Sequence, residues 1–310
     1  MKTLREAVED YLTMRRGLGF KLSEAGTGLA DFASFLEEKG ADYITMSLAL
    51  EWAQRPSSVQ PAEWARRLCY VRGFAKYQSA IDPRTEIPPV RLLPHRPRRA
   101  MPYLYTDQEI ERLLDAALKL APSDGLRGWS YHALLGLLVV SGLRISEAIG
   151  LKLEDVDLSE GLLTVRGAKL GKSRLVPLHA STRQVLADYK SRRDDFLAGR
   201  PATSFFISQR GNHLDPGNVH RTFYLLSRQI GLRDPDSSSG PRLHDFRHRF
   251  AVETLLRWYR AGEDVERRLP VLSTYLGHAH VSDTYWYLTA CPELMGLAVK
   301  RLERRWEEQP

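Results

Sequence analysis

The chain has 310 residues, enough for about two domains of ordinary size. With 43% hydrophobic and 27% charged residues, its composition is that of a globular protein rather than a disordered or fibrous one. A formal net charge of +7 favours an anionic partner. The two cysteines, Cys69 and Cys291, are too few for a disulfide framework or a four-thiolate zinc site, and they fit a reducing cytoplasm.

Residues 1–95 are predicted to form a helical domain. The first residues place apolar side chains at helical spacing between acidic ones, which predicts an amphipathic helix and argues against a secretory signal. A second helix is predicted from about Gly28 to Glu38, with Thr27 as its N-cap, and another follows Pro61. Three basic residues lie off the apolar face of that last helix, either as a solvated surface or as contacts to a nucleic-acid backbone; they are Arg66, Arg72 and Lys76.

Residues 81–104 contain six prolines, which argues against regular secondary structure. Within this stretch we interpret residues 96–102 as a basic linker that separates the helical domain from a second domain, residues 103–310. Arg98 and Arg99 give the linker a positive charge that suits a segment lying along a phosphate backbone.

The second domain is predicted to be mainly α-helical with one small antiparallel β-sheet. Residues 106–109 read Thr-Asp-Gln-Glu, a capping box that starts a helix. The apolar run at residues 132–140 is too short for a membrane span, which needs about 18 residues, so it predicts a core helix. Residues 162–178 contain two β-rich runs around a glycine- and lysine-rich turn, with Pro177 closing the second strand. The rest of the chain is predicted to be mostly helical.

The last predicted helix, residues 292–306, carries a partial apolar stripe. This stripe either packs on its own domain or docks onto a neighbouring protomer; its members are Leu294, Leu297, Val299 and Leu302.

Several polar residues of the second domain are ordinary when taken singly, but their order along one chain is distinctive. An arginine and a glutamate three residues apart lie on one helical face, and so do a histidine and an arginine at the same spacing. Two lysines fall in the hairpin turn, and a Gly-His pair precedes two tyrosines. In chain order the set is Arg144 with Glu147, Lys169 or Lys172, His244 with Arg247, His278, and Tyr285 or Tyr287.

The segments SGLRISEA, AKLGKSRLVPL, HDFRHRF and LGHAHVSDTYWY together resemble the tyrosine recombinase (phage integrase) family. The resemblance covers about residues 103–310, and the N-terminal region matches the core-binding domain of that family in outline. It implies a two-domain clamp on double-stranded DNA that cleaves and rejoins strands at specific sites through a 3′-phosphotyrosine intermediate. No metal or nucleotide cofactor is implied, and the working assembly would be a homo-tetramer on paired DNA.

The same resemblance implies a role for each residue of the set. Arginine suits a phosphate because its planar donors are permanently charged, and cleavage requires negative charge on the phosphate oxygens to be stabilised. The implied roles are Arg144, Arg247 and His278 as phosphate ligands, His244 as proton acceptor or orienting group, Lys169 as the acid for the leaving 5′-oxygen, Tyr287 as nucleophile and Glu147 as an acidic support. Lys172 stays a rival of Lys169. Tyr285 is a rival of Tyr287, from which it is separated by about 200° on a helix.

Residues 257–270 look like an insertion relative to compact integrases. Together with STYLGH and TYWYL, this feature resembles recombinases encoded by transposons that carry several recombinase genes, so sister recombinases are expected as possible partners and a mobile element as the DNA target.

Three other functions stay open at this point. His244 and His248 have the spacing of a zinc-binding pair, with His278 and His280 as further ligands, although Asp245 and Arg247 suit that site poorly. A DNA-binding protein without chemistry could use the same basic surfaces, and a type IB topoisomerase uses a similar set of groups. The sequence shows no phosphate-binding glycine loop and no acidic triad, which disfavours an ATP-driven enzyme or a two-metal nuclease.

Overall fold

The computed structural model describes residues 2–94, 101–166, 173–237, 239–289 and 291–307. The chain divides into two compact units, Met1–Ala100 and Met101–Pro310. Most of the linker predicted at 96–102, including Arg98 and Arg99, lies outside the described residues, so its role stays a prediction. In the described part of the chain, no helix has the length and apolar character needed to cross a membrane.

The first unit is a small helical bundle with an aromatic core. Phe32, Phe35, Trp52 and Phe74 are each at most 1% exposed and fill the space between the helices. Burial of such rings is the main favourable contribution to folding in a unit of this size. The helices are α1 (Leu4–Gly17), α2 (Ser23–Glu38), α3 (Met46–Gln54) and α4 (Pro61–Gln78).

The predicted start of α2 is wrong. The helix begins at Ser23, and Thr27 lies one turn inside it, where its hydroxyl donates to the Ser23 carbonyl at 3.3 Å. Gly28 sits where α2 packs closely on α4, because a Cβ at this position would lie 2.9 Å from the ring of Tyr70. The residue predicted to start the helix therefore lies inside it and allows close helix packing.

The second unit is mainly helical, as predicted. The capping box at its start is confirmed, since the Thr106 hydroxyl accepts the Glu109 N–H at 3.2 Å and the Glu109 carboxylate accepts the Thr106 N–H at 2.8 Å. The predicted core helix is α6, which is buried along most of its length. The helices are α5 (Asp107–Leu118), α6 (Arg127–Ser141), α7 (Ile145–Ile149), α8 (Ala180–Leu197), α9 (Pro216–Gln229), α10 (Leu243–Arg260), α11 (Val265–Leu276), α12 (Ser282–Tyr285) and α13 (Pro292–Glu307).

A small antiparallel sheet joins α7 to α8, which confirms the predicted fold class. Strands β1 (Val156–Asp157), β2 (Leu162–Val165) and β3 (Arg174–Pro177) pair in the order β1-β2-β3. The predicted hairpin is β2–β3, in which Leu163 pairs with Val176 and Val165 pairs with Arg174. Strand β1 was not predicted, because two residues are too few to show a strand period. The hairpin turn, with Lys169 and Lys172, lies outside the described residues.

The second unit has two hydrophobic clusters. The larger one packs α5, α6, the sheet, α8 and α9. The other packs α10, α11, α13 and a 3-10 helix, Trp286–Thr289. Residues 257–270, interpreted above as an insertion, form the end of α10 and the first half of α11.

Candidate active site

The first arginine of the predicted set lies at a sharp turn between two helices. Helix α6 ends at Gly142, which has a left-handed φ of 60°, and Arg144 then caps the N-terminus of α7. The Arg144 backbone N–H donates to one oxygen of Glu147 at 2.9 Å, and its Nη1 donates to the other at 2.8 Å. The Glu147 side chain is only 7% exposed, so this is a buried ion pair rather than a surface one.

Arg247 is one of the most buried charged residues described, at 2% exposure. Its Nη1 donates to the Gly142 carbonyl at 2.8 Å, and its Nη2 donates to the Leu276 carbonyl at 2.6 Å. The Leu276 carbonyl also accepts Arg144 Nη1 at 3.4 Å, so one carbonyl holds both guanidinium groups. Burial lowers the pKa of Arg247 to about 10, which leaves it a cation at neutral pH.

Arg174, which the sequence analysis did not single out, completes the group of arginines. Its Nη1 and Nη2 donate to the two oxygens of Glu147 at 3.1 and 2.9 Å, and its Nε donates to the Tyr275 carbonyl at 2.7 Å. Burial raises the pKa of Glu147, but the bonds from Arg174 and Arg144 outweigh it and bring the value to about 2. Arg174 shares a strand face with the buried Val176, and a charged residue on an inward face is a signal for an ion pair.

His278 follows directly on the end of α11. Gly277 ends that helix with a φ of 66°, and its carbonyl accepts Arg144 Nη2 at 3.0 Å. The Nδ1 of His278 lies 2.7 Å from the hydroxyl of Thr284, which is completely buried. Burial lowers the pKa of His278 to about 4, and the nearby cations of Arg247 and Arg144 act in the same direction. His278 is therefore neutral at pH 7.

The two candidate tyrosines face different surroundings, as their spacing predicts. Tyr287 lies in the 3-10 helix and is 3% exposed, whereas Tyr285 is 54% exposed. The Tyr287 ring stacks on that of His278, with centroids 5.9 Å apart and planes at 23°. Burial raises the pKa of Tyr287, while the Arg247 guanidinium facing its hydroxyl opposes that rise. Only Tyr287 therefore faces the arginines.

His244 and His248 lie one turn apart on α10, with ring centroids 4.8 Å apart. Burial and the Arg247 cation lower the pKa of His244, whose side chain still reaches solvent. His248 is more enclosed: its ring is 5.4 Å from that of Tyr287, and its buried Nδ1 has no hydrogen-bond partner in the described part of the chain. Within the described residues, no three histidine, cysteine or acidic side chains gather where a metal could bind.

The remaining predicted contact residues belong to the first unit or lie outside the described residues. Lys169, Lys172, Arg98 and Arg99 fall outside the described residues. On α4, Arg66 donates to Glu63 at 2.8 Å, and Arg72 donates to the carbonyls of Pro88 and Pro89, each at 2.7 Å. Lys76 has an exposed side chain. Two of the three predicted contact residues on α4 thus make contacts within their own unit.

Comparison with known proteins places this arrangement in a family. Residues 104–293 match the phage integrase family. A Sinorhizobium fredii protein named as an integrase/recombinase, y4rB, is 60% identical over the full length of both chains. The chain belongs to the phage integrase family of tyrosine recombinases.

Further relatives of this tyrosine recombinase carry the same family name or the same fold. The tyrosine recombinase XerD of Mycobacterium tuberculosis is 31% identical, with 93% of this chain and 94% of XerD covered. Among solved structures, a lambda integrase tetramer bound to a Holliday junction matches with a TM-score of 0.62 and 18% identity, covering 90% of this chain and 78% of that one. That likeness shows the shared fold.

The candidate site of this recombinase is a cluster of arginines beside a buried phenol. Arg144 and Arg174 pair with one buried carboxylate, that of Glu147, while Arg247 donates to backbone carbonyls, so the cluster keeps an excess of positive charge. Most of the other acceptors are backbone carbonyls, which orient the guanidinium groups without neutralising them. Such a cluster of cations can bind a tetrahedral anion and stabilise the charge that develops on it.

Proposed function

We propose that this recombinase cleaves DNA by attack of the Tyr287 hydroxyl on a scissile phosphodiester. The observation that carries the proposal is the position of Tyr287, buried against His278 and facing Arg247, whose guanidinium shares the Leu276 carbonyl with Arg144. A phosphate bound by the two arginines would lie next to the phenol oxygen, which is the proximity that an in-line attack requires.

In the proposed reaction, the bond from Tyr287 to phosphorus forms while the bond from phosphorus to the 5′-oxygen breaks. The phenol proton passes to His244, which is neutral at pH 7 and exposed enough to release the proton to solvent. The leaving 5′-oxygen takes a proton from Lys169. The products are a 3′-phosphotyrosine and a free 5′-hydroxyl. A 5′-hydroxyl of the partner strand then attacks the phosphotyrosine, which forms a new phosphodiester and releases Tyr287 as the phenol.

Two arginines and a histidine would stabilise the non-bridging oxygens during this step. Arg144 and Arg247 supply charged donors, and Glu147 holds Arg144 in place. The Thr284 hydroxyl can donate to Nδ1 of His278, which leaves the proton on Nε2. In that tautomer, a neutral His278 can donate to a phosphate oxygen.

The substrate that this chemistry fits is double-stranded DNA carrying specific recombination sites. The fold shared with a lambda integrase tetramer on a Holliday junction supports a homo-tetramer on two duplexes as the working assembly, with sister recombinases as possible members. We also propose a cytoplasmic location and a mobile element as the DNA target, on the resemblance to transposon-encoded recombinases.

The C-terminal helix fits this assembly. Leu294 is fully buried in its own unit, whereas Val299 and Leu302 are 49% and 46% exposed. We propose that the exposed part of α13 docks onto a neighbouring protomer. A chain truncated after residue 291 that still pairs and recombines two sites would contradict this docking.

The experiment that tests the proposed function is trapping of a covalent adduct. Nicked duplexes tiled from the DNA around the gene are incubated with the protein in EDTA, and denaturing gels are used to detect protein joined to DNA. We expect an adduct with the wild type and with Tyr285→Phe, and none with Tyr287→Phe. An adduct that persists in Tyr287→Phe refutes the assignment of the nucleophile.

The same preparation separates the alternative functions. Tight binding to a site without any adduct, with the related recombinases added, indicates a DNA-binding protein without chemistry. Relaxation of supercoiled plasmids that carry no site indicates a topoisomerase, because recombination needs a paired specific site.

A further inference from the structure

Arg174 bonds two segments of the candidate site, the start of α7 and the end of α11. On one side its two terminal nitrogens bond both oxygens of Glu147, and on the other its Nε bonds the Tyr275 carbonyl. The side chains of Arg174 and Glu147 are 10% and 7% exposed, so solvent screens this ion pair little. The guanidinium is therefore fixed at three points by groups from two different helical segments.

Both partners of Arg174 are linked to proposed phosphate ligands, one by hydrogen bonds and the other by the chain itself. Glu147 accepts two hydrogen bonds from Arg144, one from its backbone and one from its side chain. Tyr275 begins the turn that ends in His278, and the Gly277 carbonyl within this turn accepts Arg144 Nη2 at 3.0 Å. The position of Arg174 thus bears on both Arg144 and the turn that presents His278.

The guanidinium groups of Arg174 and Arg144 both lie close to Gly277, which leaves them little room to move. A Cβ on Gly277 would lie 2.8 Å from Arg174 Nη1 and 3.4 Å from Arg144 Nη1, so the backbone of the turn touches both guanidinium groups. A bidentate pair of arginine and carboxylate also fixes orientation, because two parallel bonds allow little rotation.

A second buried arginine shows what a purely structural role looks like. Arg193 is 1% exposed, donates to the carbonyls of Ala202 and Ser204 at 3.0 and 2.9 Å, and pairs with Asp194 at 2.6 Å. Its bonding resembles that of Arg174, but among the described residues the groups that it bonds make no hydrogen bond or ion pair with a residue of the candidate site. Arg193 is therefore a matched control for the loss of a buried arginine.

We propose that Arg174 is a positioning residue for strand cleavage: it holds Arg144, through Glu147, and the turn of His278 so that both meet the non-bridging oxygens of one phosphate. This role rests on the proposed function above. It goes beyond the supporting role expected of Glu147. Arg174, a residue of strand β3 that is not itself a proposed phosphate ligand, orients the residues that are.

The first test is single-turnover cleavage of a nicked duplex at saturating protein. Displacement of catalytic groups by about 1 Å can cost about 100-fold in rate, so we expect a loss of that size in Arg174→Gln with DNA affinity unchanged. Arg174→Lys keeps the charge but cannot bridge three acceptors in the same plane, and should show an intermediate loss. Arg193→Gln should lower the thermal midpoint without changing the cleavage rate of the folded protein.

The second test changes the charge on the substrate. Replacing one non-bridging oxygen with a methyl group, in each of its two stereoisomers, removes the charge that Arg144 and His278 would stabilise. If Arg174 acts through these groups, the defect of Arg174→Gln shrinks on at least one isomer, in parallel with that of Arg144→Ala. A bridging sulfur at the 5′ position, which leaves without protonation, should not reduce the Arg174→Gln defect.

The third test is a double-mutant cycle with Glu147→Gln. If Arg174 acts through Glu147, the double variant should cleave no more slowly than the slower of the two single variants. Additive losses, equal defects on phosphate and methylphosphonate, or a wild-type rate in Arg174→Gln each overturn the role of Arg174. The Tyr287→Phe gel is the separate check: no adduct in the wild type overturns the proposed function, and with it this role.

Discussion

Replacing Gly277 with alanine should impair cleavage far more than stability. Gly277 ends α11 with a φ of 66°, a left-handed conformation that costs a residue with a Cβ about 1 kcal/mol. For a unit of some 200 residues, such a loss corresponds to a fall in Tm of roughly 2–4 °C. The backbone strain alone is therefore a modest perturbation.

The larger effect comes from the space that the new methyl group would occupy. It would lie 2.8 Å from Arg174 Nη1 and 3.1 Å from Cζ, against normal contacts of about 3.5 Å or more. The guanidinium would have to retreat by roughly 0.5–1 Å, against its bonds to Glu147. A displacement of that order predicts a fall in the cleavage rate of about 100-fold.

A matched control separates the two effects. Gly262 has a similar φ of 69°, but nothing lies within 4 Å of the position of its missing Cβ. Gly262→Ala should therefore lose about the same stability, about 1 kcal/mol by urea denaturation, and keep its rate of adduct formation. If both variants form the phosphotyrosine adduct at the same rate, the steric argument for Gly277 is refuted.

Three further predictions concern charge. Glu147→Gln leaves Arg144 and Arg174 without a carboxylate partner, so urea denaturation should show a loss of about 3 kcal/mol; a change below about 0.5 kcal/mol would refute a buried ion pair. The pKa values of His248 and His278 are about 4 when folded and 6.5 ordinarily, so the unfolded chain binds more protons in that window and stability should fall as pH drops from 6.5 to 4. For the enclosed His248 this loss is at most about 3 kcal/mol, and His248→Gln should flatten the pH dependence. Finally, a bound phosphate would offset the arginine charges and raise the pKa of His278, so DNA binding at pH 5 should take up protons. Calorimetry in two buffers of different ionisation enthalpy measures this proton uptake. An uptake that is unchanged in His278→Gln would contradict His278 as its origin.

The parts of the fold that are set by local interactions could be predicted from the sequence. The helix that starts at Thr106 follows from a capping box whose two hydrogen bonds involve only residues 106 and 109. The start of α2 could not be predicted in the same way, because its N-cap residue, Leu22, makes no side-chain capping hydrogen bond. Strand β1 was missed because its pairing with β2, rather than its own two residues, defines it.

The site divides along similar lines. Arg144, Arg247 and Tyr287 were found because each carries a functional group that a motif can show, and the structure brings them together. The acceptors that hold them, such as the Leu276 carbonyl, were not found, since every residue offers a backbone carbonyl. Arg174 was not predicted, because its contribution to the site comes from its bonds to Glu147, which only the fold brings next to it.

The choice of acceptors explains how the site retains its charge. Among the described residues, Arg247 donates to two carbonyls and to no carboxylate, so its burial is satisfied by dipoles while its positive charge stays uncompensated. This arrangement costs the free protein stability, as the lowered pKa of Arg247 indicates. The same uncompensated charge lowers the pKa of His278 and opposes the burial that raises the pKa of Tyr287. A phosphodiester would relieve the repulsion between the guanidinium groups, so the burial that costs the free protein stability strengthens its attraction for DNA.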